Sequence, residues 1–82
     1  MLLGTRIRNL RLANGFTQAQ LANLLNLKSA STITMWEKGD RTPGSSMLIK
    51  LTRIFHCSTD YLLGLEESKE VEGSNSFKET SP

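Results

Sequence analysis

The sequence contains one cysteine, Cys57, and one histidine, His56, among its 82 residues. A lone thiol closes no internal disulfide, and without clustered Cys and His a structural zinc has no ligand set, so the core has to hold by packing alone. His56 and Cys57 are neighbours in the chain, and neighbours rarely converge on one metal or one reacting atom. No third group stands ready to orient them, and nothing resembles a phosphate loop. Neither an enzyme nor a metal or other cofactor is therefore expected. No apolar run is long enough to cross a bilayer. Met1 to Gly4 leads directly into Arg6 and Arg8, without the basic segment and the apolar stretch of roughly 7–15 residues that make a secretory signal. A cytoplasmic chain with no membrane partner is expected, and its length has room for one small domain.

What the sequence does have is an uneven distribution of charge. The whole chain carries a formal +2. Residues 1–64 hold eight Lys and Arg against three acids, Glu37, Asp40 and Asp60, a net of +5, whereas residues 65–82 hold two Lys against five Glu, a net of −3. A basic folded part points to an anionic partner, although many soluble domains carry as much charge. After Leu65 the composition turns to Glu, Ser, Lys, Asn and Gly, with Val71 and Phe77 as the only large apolar side chains. Such a segment cannot offset its own ordering entropy. The expected division is a domain over residues 1–65 and a largely disordered, acidic and polar tail over 66–82.

The foldable part reads as all-α, with five short helices. Leu3, Ile7, Leu10 and Ala13 recur at helical spacing and predict a helix over Gly4–Asn14, closed by Gly15 in the left-handed conformation. Thr17 opens a second helix, with Gln20 three residues on to complete a capping box, and Leu21, Ala22 and Leu25 face inward. Asn26 cuts that helix short, because asparagine tolerates a left-handed backbone better than other non-glycine residues. Ser29 is the expected N-cap of a third helix that buries Ile33 and Trp36 and stops at Gly39. The stretch Gly39-Asp40-Arg41-Thr42-Pro43-Gly44 is turn chemistry throughout. Gly44 or Ser45 caps a fourth helix with Leu48, Leu51, Ile54 and Phe55 inward, and a fifth runs from Ser58 or Thr59 through Tyr61 and Leu62 to Gly64.

Two short helices joined by a tight turn, here Thr17–Leu25 and Ser29–Lys38, let one helix brace across a duplex backbone while the next enters the major groove. Ala22 suits that arrangement, since a small side chain lets the second helix cross closely. Read together, Arg6-Ile7-Arg8-Asn9-Leu10-Arg11, Gly15-Phe16-Thr17-Gln18-Ala19-Gln20-Leu21-Ala22, Ile33-Thr34-Met35-Trp36-Glu37-Lys38-Gly39, Arg41-Thr42-Pro43 and Thr59-Asp60-Tyr61-Leu62-Leu63-Gly64 resemble the Cro/C1 (XRE) helix-turn-helix family in order and spacing. The resemblance covers roughly residues 4–64. It implies a five-helix, lambda-repressor-like domain. It also implies a transcriptional regulator, in the first place a repressor, that binds double-stranded DNA as a homodimer on a palindromic operator with half-sites about 34–36 Å apart.

Thr17 and Gln18 stand at the amino end of a helix, where backbone amides and the helix dipole attract phosphate, and in the proteins resembled the residue matching Gln18 binds the DNA backbone. Ser29 repeats the arrangement. With Ile33 and Trp36 inward, the outward face of the third helix consists of Ala30, Ser31, Thr34, Met35 and Lys38, the candidate base readers. Arg41 and Thr42 sit where the family contacts phosphates, and Arg11 and Glu37 match a partly buried ion pair that joins the first and third helices in related repressors. Trp36 and Tyr61 are expected in the core, and Arg6, Arg8 and Arg53 on the solvated surface.

The sequence departs from the family in its reading face and in its turn. Ala30, Ser31, Thr34 and Met35 offer hydroxyls and methyl contacts in place of the Arg, Asn or Gln that make bidentate base contacts. Specificity then leans on Lys38, thymine methyls, bound water and DNA shape. Asn26 to Ala30 carries one residue more than the usual turn, which bears on whether Lys28, Ser29 or Ala30 meets the phosphate. Ser45 and His56 stand where an apolar residue and a glycine are usual, and Leu24 takes a commonly polar position. Met35 and Leu24 keep a second reading open: a helix-turn-helix module of antitoxin or antirepressor kind, with a protein partner and secondary DNA binding.

Overall fold

The structure is a computed structural model and describes residues 2–65; segment 66–82, with the tail expected to be disordered, lies outside the described residues. The apolar stripes form five helices in the predicted order: α1 (Leu2–Ala13), α2 (Gln18–Leu24), α3 (Ser31–Lys38), α4 (Ser45–Phe55) and α5 (Thr59–Leu63). No strand occurs among the described residues.

All five helices end in the same way. One residue takes a positive φ, at Gly15 (75°), Asn26 (60°), Gly39 (86°), His56 (55°) and Gly64 (88°). The next N–H then reaches back five residues: Phe16 to Arg11, Leu27 to Ala22, Asp40 to Met35, Cys57 to Thr52 and Leu65 to Asp60, at 2.7–3.1 Å. These bonds supply donors for carbonyls that a helix end otherwise leaves unpaired. Phe16, Leu27 and Cys57, placed just past a turn, pack onto the core. Helix starts are more varied. Thr17 and Gln20 form the full capping box, Ser58 accepts from the Tyr61 N–H, and Gly44 caps α4 without a side chain.

Two boundaries differ from the sequence-based expectation. Helix α1 spans Leu2–Ala13 rather than Gly4–Asn14; Asn14 lies in the turn, where its backbone and side-chain N–H groups both donate to the Leu10 carbonyl, at 3.0 and 2.7 Å. Ser29 does not cap α3. Ala30 occupies that position with no side-chain bond, because α3 begins at Ser31 and leaves Ser29 one residue too early.

Packing centres on α1, which meets both α3 and α5, while α2 lies on α3 and α4 on α5. Ile7, Leu21, Leu25, Ile33, Leu51, Phe55 and Leu62 are fully buried. Each such side chain contributes about 1.5–3 kcal/mol, most of it offset by lost chain entropy. Leu48 and Ile54, expected to face inward, are only half-buried at the edge of this core. Trp36 is in the core as expected. Arg6 is not simply solvated: its guanidinium lies 4.0 Å from the ring centroid of half-buried Tyr61, tying α1 to α5.

Candidate nucleic-acid interface

The turn between α2 and α3 sets the relation of the two helices. Asn26 reverses the chain, the Leu27 N–H closes on the Ala22 carbonyl, and half-buried Leu27 anchors the turn to the core. Lys28 and Ser29 follow as exposed residues. The Ser29 hydroxyl accepts from the Ser31 N–H at 3.2 Å and lies 2.6 Å from the Ser31 hydroxyl. Ser29 thus still satisfies a donor at the start of α3, from outside the cap position.

Helix α3 buries Ile33 and Trp36 and turns its other side outward. Of the candidate readers, Ser31 and Lys38 are exposed, whereas Ala30, Thr34 and Met35 are half-buried. Thr34 does not point freely outward: its hydroxyl donates to Gln18 Oε1 at 2.8 Å and has the Ala30 carbonyl at 3.3 Å. Lys38 faces Asp40 across 3.8 Å, both well exposed, and such a pair contributes little in water. Arg41 and Thr42 are exposed in the loop after α3, held by the Asp40 and Arg41 N–H groups on the Met35 carbonyl and by buried Pro43.

Beneath this face, Arg11 Nε donates to Glu37 Oε2 at 2.6 Å and Nη2 to Oε1 at 3.2 Å. The two side chains are only 9% and 5% exposed. Arg11 Nη1 reaches the Phe16 carbonyl at 2.9 Å, and Gln18 Nε2 donates to Glu37 Oε1 at 3.0 Å. One connected set of polar groups therefore joins α1, the turn before α2, the first residue of α2 and both halves of α3. Such a network fixes a helix angle more sharply than apolar packing, since its bonds are directional.

Three participants escape sequence reasoning. Gly4 lies in α1 where a Cβ would come 2.3 Å from the Trp36 carbonyl oxygen and 3.0 Å from that of Glu37, so its lack of a side chain lets α1 close on the end of α3. A glycine inside a helix, costing about 1 kcal/mol against alanine, was the available signal. The contact of Gln18 with Thr34 and the approach of Asp40 to Lys38 had none.

Among the described residues no group of His, Cys, Asp and Glu could hold a metal ion, and no helix is long and apolar enough to cross a membrane. Leu24 is 50% exposed and borders an open depression with Phe16, Gln20 and Asn23.

Residues 7–62, more than half the chain, match the family model HTH_3, helix-turn-helix. The chain is 37% identical over 67 residues to the HTH-type transcriptional regulator ImmR of Bacillus subtilis (strain 168), a match covering 82% of this chain and 52% of that protein. It is 34% identical over 68 residues to the HTH-type transcriptional regulator DicA of Escherichia coli (strain K12), covering 83% and 50%. The chain spans about half the length of these curated relatives. Among solved structures, the P22 c2 repressor in complex with a synthetic operator superposes with a TM-score of 0.73 at 33% identity, covering 80% of this chain and 98% of that one. The solution structure of the P22 c2 DNA-binding domain gives 0.71 at 34% identity, covering 83% and 91%. A helix pair set by a polar network, the family model and these likenesses agree, and the chain belongs to the helix-turn-helix family of Cro/C1 (XRE) type.

Proposed function

We propose that this protein is a transcriptional repressor that binds double-stranded DNA sequence-specifically, as a homodimer on a palindromic site, with α3 in the major groove. The observation that carries this reading is the presentation of α3. Ile33 and Trp36 bury one side of it, the Arg11–Glu37 pair clamps it to α1, and Ser31 and Lys38 are left exposed on the other. The likeness to a repressor solved with an operator supports the same docking.

In this arrangement Ser31, Lys38, Ala30 and Met35 meet base edges, and Thr17, Gln18, Lys28, Ser29, Arg41 and Thr42 flank them toward the phosphates. Lys38 exchanges its exposed partner Asp40 for DNA at little cost, because that ion pair is weak. With no Arg, Asn or Gln among the readers, selectivity rests largely on Lys38, thymine methyls, water and groove shape. The protein acts by binding rather than by catalysis, in the cytoplasm at the nucleoid.

Selection of bound fragments from genomic DNA at moderate salt, repeated with Lys38→Ala and Ser31→Ala, tests the reading. Recovery of one palindromic motif, weakened by both changes, is expected. Recovery of no motif would overturn it in favour of a protein-binding module, for which exposed Leu24 beside Phe16 is one surface.

A further inference from the structure

Gln18 lies between two groups that fix its amide from opposite ends. Its Nε2 donates to Glu37 Oε1 at 3.0 Å, and its Oε1 accepts from the Thr34 hydroxyl at 2.8 Å. A carboxylate can only accept, so the nitrogen has to face Glu37, and the reversed amide would set two acceptors against each other. Thr34 secures the oxygen end. Its single hydroxyl hydrogen has two acceptors within reach, and Gln18 Oε1 at 2.8 Å is nearer than the Ala30 carbonyl at 3.3 Å. With both ends of the amide engaged, the second hydrogen on Nε2 remains to donate to a further acceptor.

We propose that Thr34 is a positioning residue for DNA binding, which orients the Gln18 amide toward a backbone phosphate, and that it does not read a base. The inference deepens, and rests on, the reading of the chain as a DNA-binding protein. The half-burial of Thr34 agrees with it, since the hydroxyl is committed inside the protein. A phosphate contact carries no sequence information, so the contribution of Thr34 is equal on every bound sequence. A base reader would instead change the preference at one position.

The test uses the full chain and a duplex library randomised over about 20 bp, enough for two half-sites one helical turn apart. Thr34→Val keeps the branched shape and removes the hydroxyl, Thr34→Ser restores it, and Thr34→Ala removes it with a better helix former, which covers a folding defect of the valine variant. Thr34→Val is expected to weaken binding about two- to tenfold, by the same factor on every recovered sequence and with unchanged base preference. Thr34→Ser returns the affinity, and in a Gln18→Ala background the valine change has no further effect. A changed preference at one base position, an undiminished loss in the Gln18→Ala background, or no loss at all overturns the inference while leaving DNA binding in place. A wild-type protein that recovers no sequence overturns the DNA-binding reading and this inference with it.

Discussion

Arg11 directs all three of its guanidinium nitrogens inward, two to Glu37 and one to the Phe16 carbonyl. Removing it leaves the Glu37 side chain, 5% exposed, without its compensating charge. Arg11→Ala is expected to cost about 3–5 kcal/mol, a large part of the total stability of a domain this small. Urea unfolding measures the loss, and a midpoint unchanged within error would remove the structural role of the pair. Replacing both partners, Arg11→Met with Glu37→Leu, should recover much of the stability, because no buried charge is then left alone. At Gly4 the expectation from propensity is reversed. Alanine is the better helix former by about 1 kcal/mol, but its Cβ would lie 2.3 Å from a backbone oxygen that cannot rotate away. Gly4→Ala should therefore lower the melting temperature, with a net cost of about 1–3 kcal/mol; a higher melting temperature would mean that α1 slides freely on α3.

At the scale of the element, the ends of the helices are legible in sequence and their starts less so. Gly15, Asn26, Gly39 and Gly64 announce left-handed turns by residue type, whereas His56 adopts φ 55° where glycine is the favoured residue. His56→Gly should thus stabilise by about 1 kcal/mol, by removing the strain of a Cβ in that conformation. Thr17→Ala should do the opposite by a similar amount, since it breaks the capping box of α2. For a domain of this size each change corresponds to a shift of about 4–8 °C in melting temperature, and calorimetry of the two variants reads the opposite signs directly. The start of α3 shows why starts are harder to place. Ser29 has the right chemistry for a cap, yet the turn delivers Ala30 to that position. Cap geometry depends on where the preceding turn delivers the chain, which residue type alone does not encode.

For the whole molecule, the proposed function predicts a salt dependence. Each phosphate contact steepens the fall of log affinity with log salt by about 0.9. Arg41→Ala and Lys28→Ala should each make that slope shallower by about one, with little change in base preference; an unchanged slope for both would place the phosphate contacts elsewhere. The five helices, their order, most of the core and the exposure of Ser31 and Lys38 on α3 follow from the sequence alone, because apolar periodicity and turn residues act locally. The family resemblance added the Arg11–Glu37 pair between α1 and α3 and the place of Gln18 at the start of α2. Only the tertiary structure decided how those helices meet. Gly4 against Trp36, Arg6 over Tyr61 and Thr34 on Gln18 join residues far apart in the chain, and such contacts depend on directional bonds and close approach that no local pattern specifies.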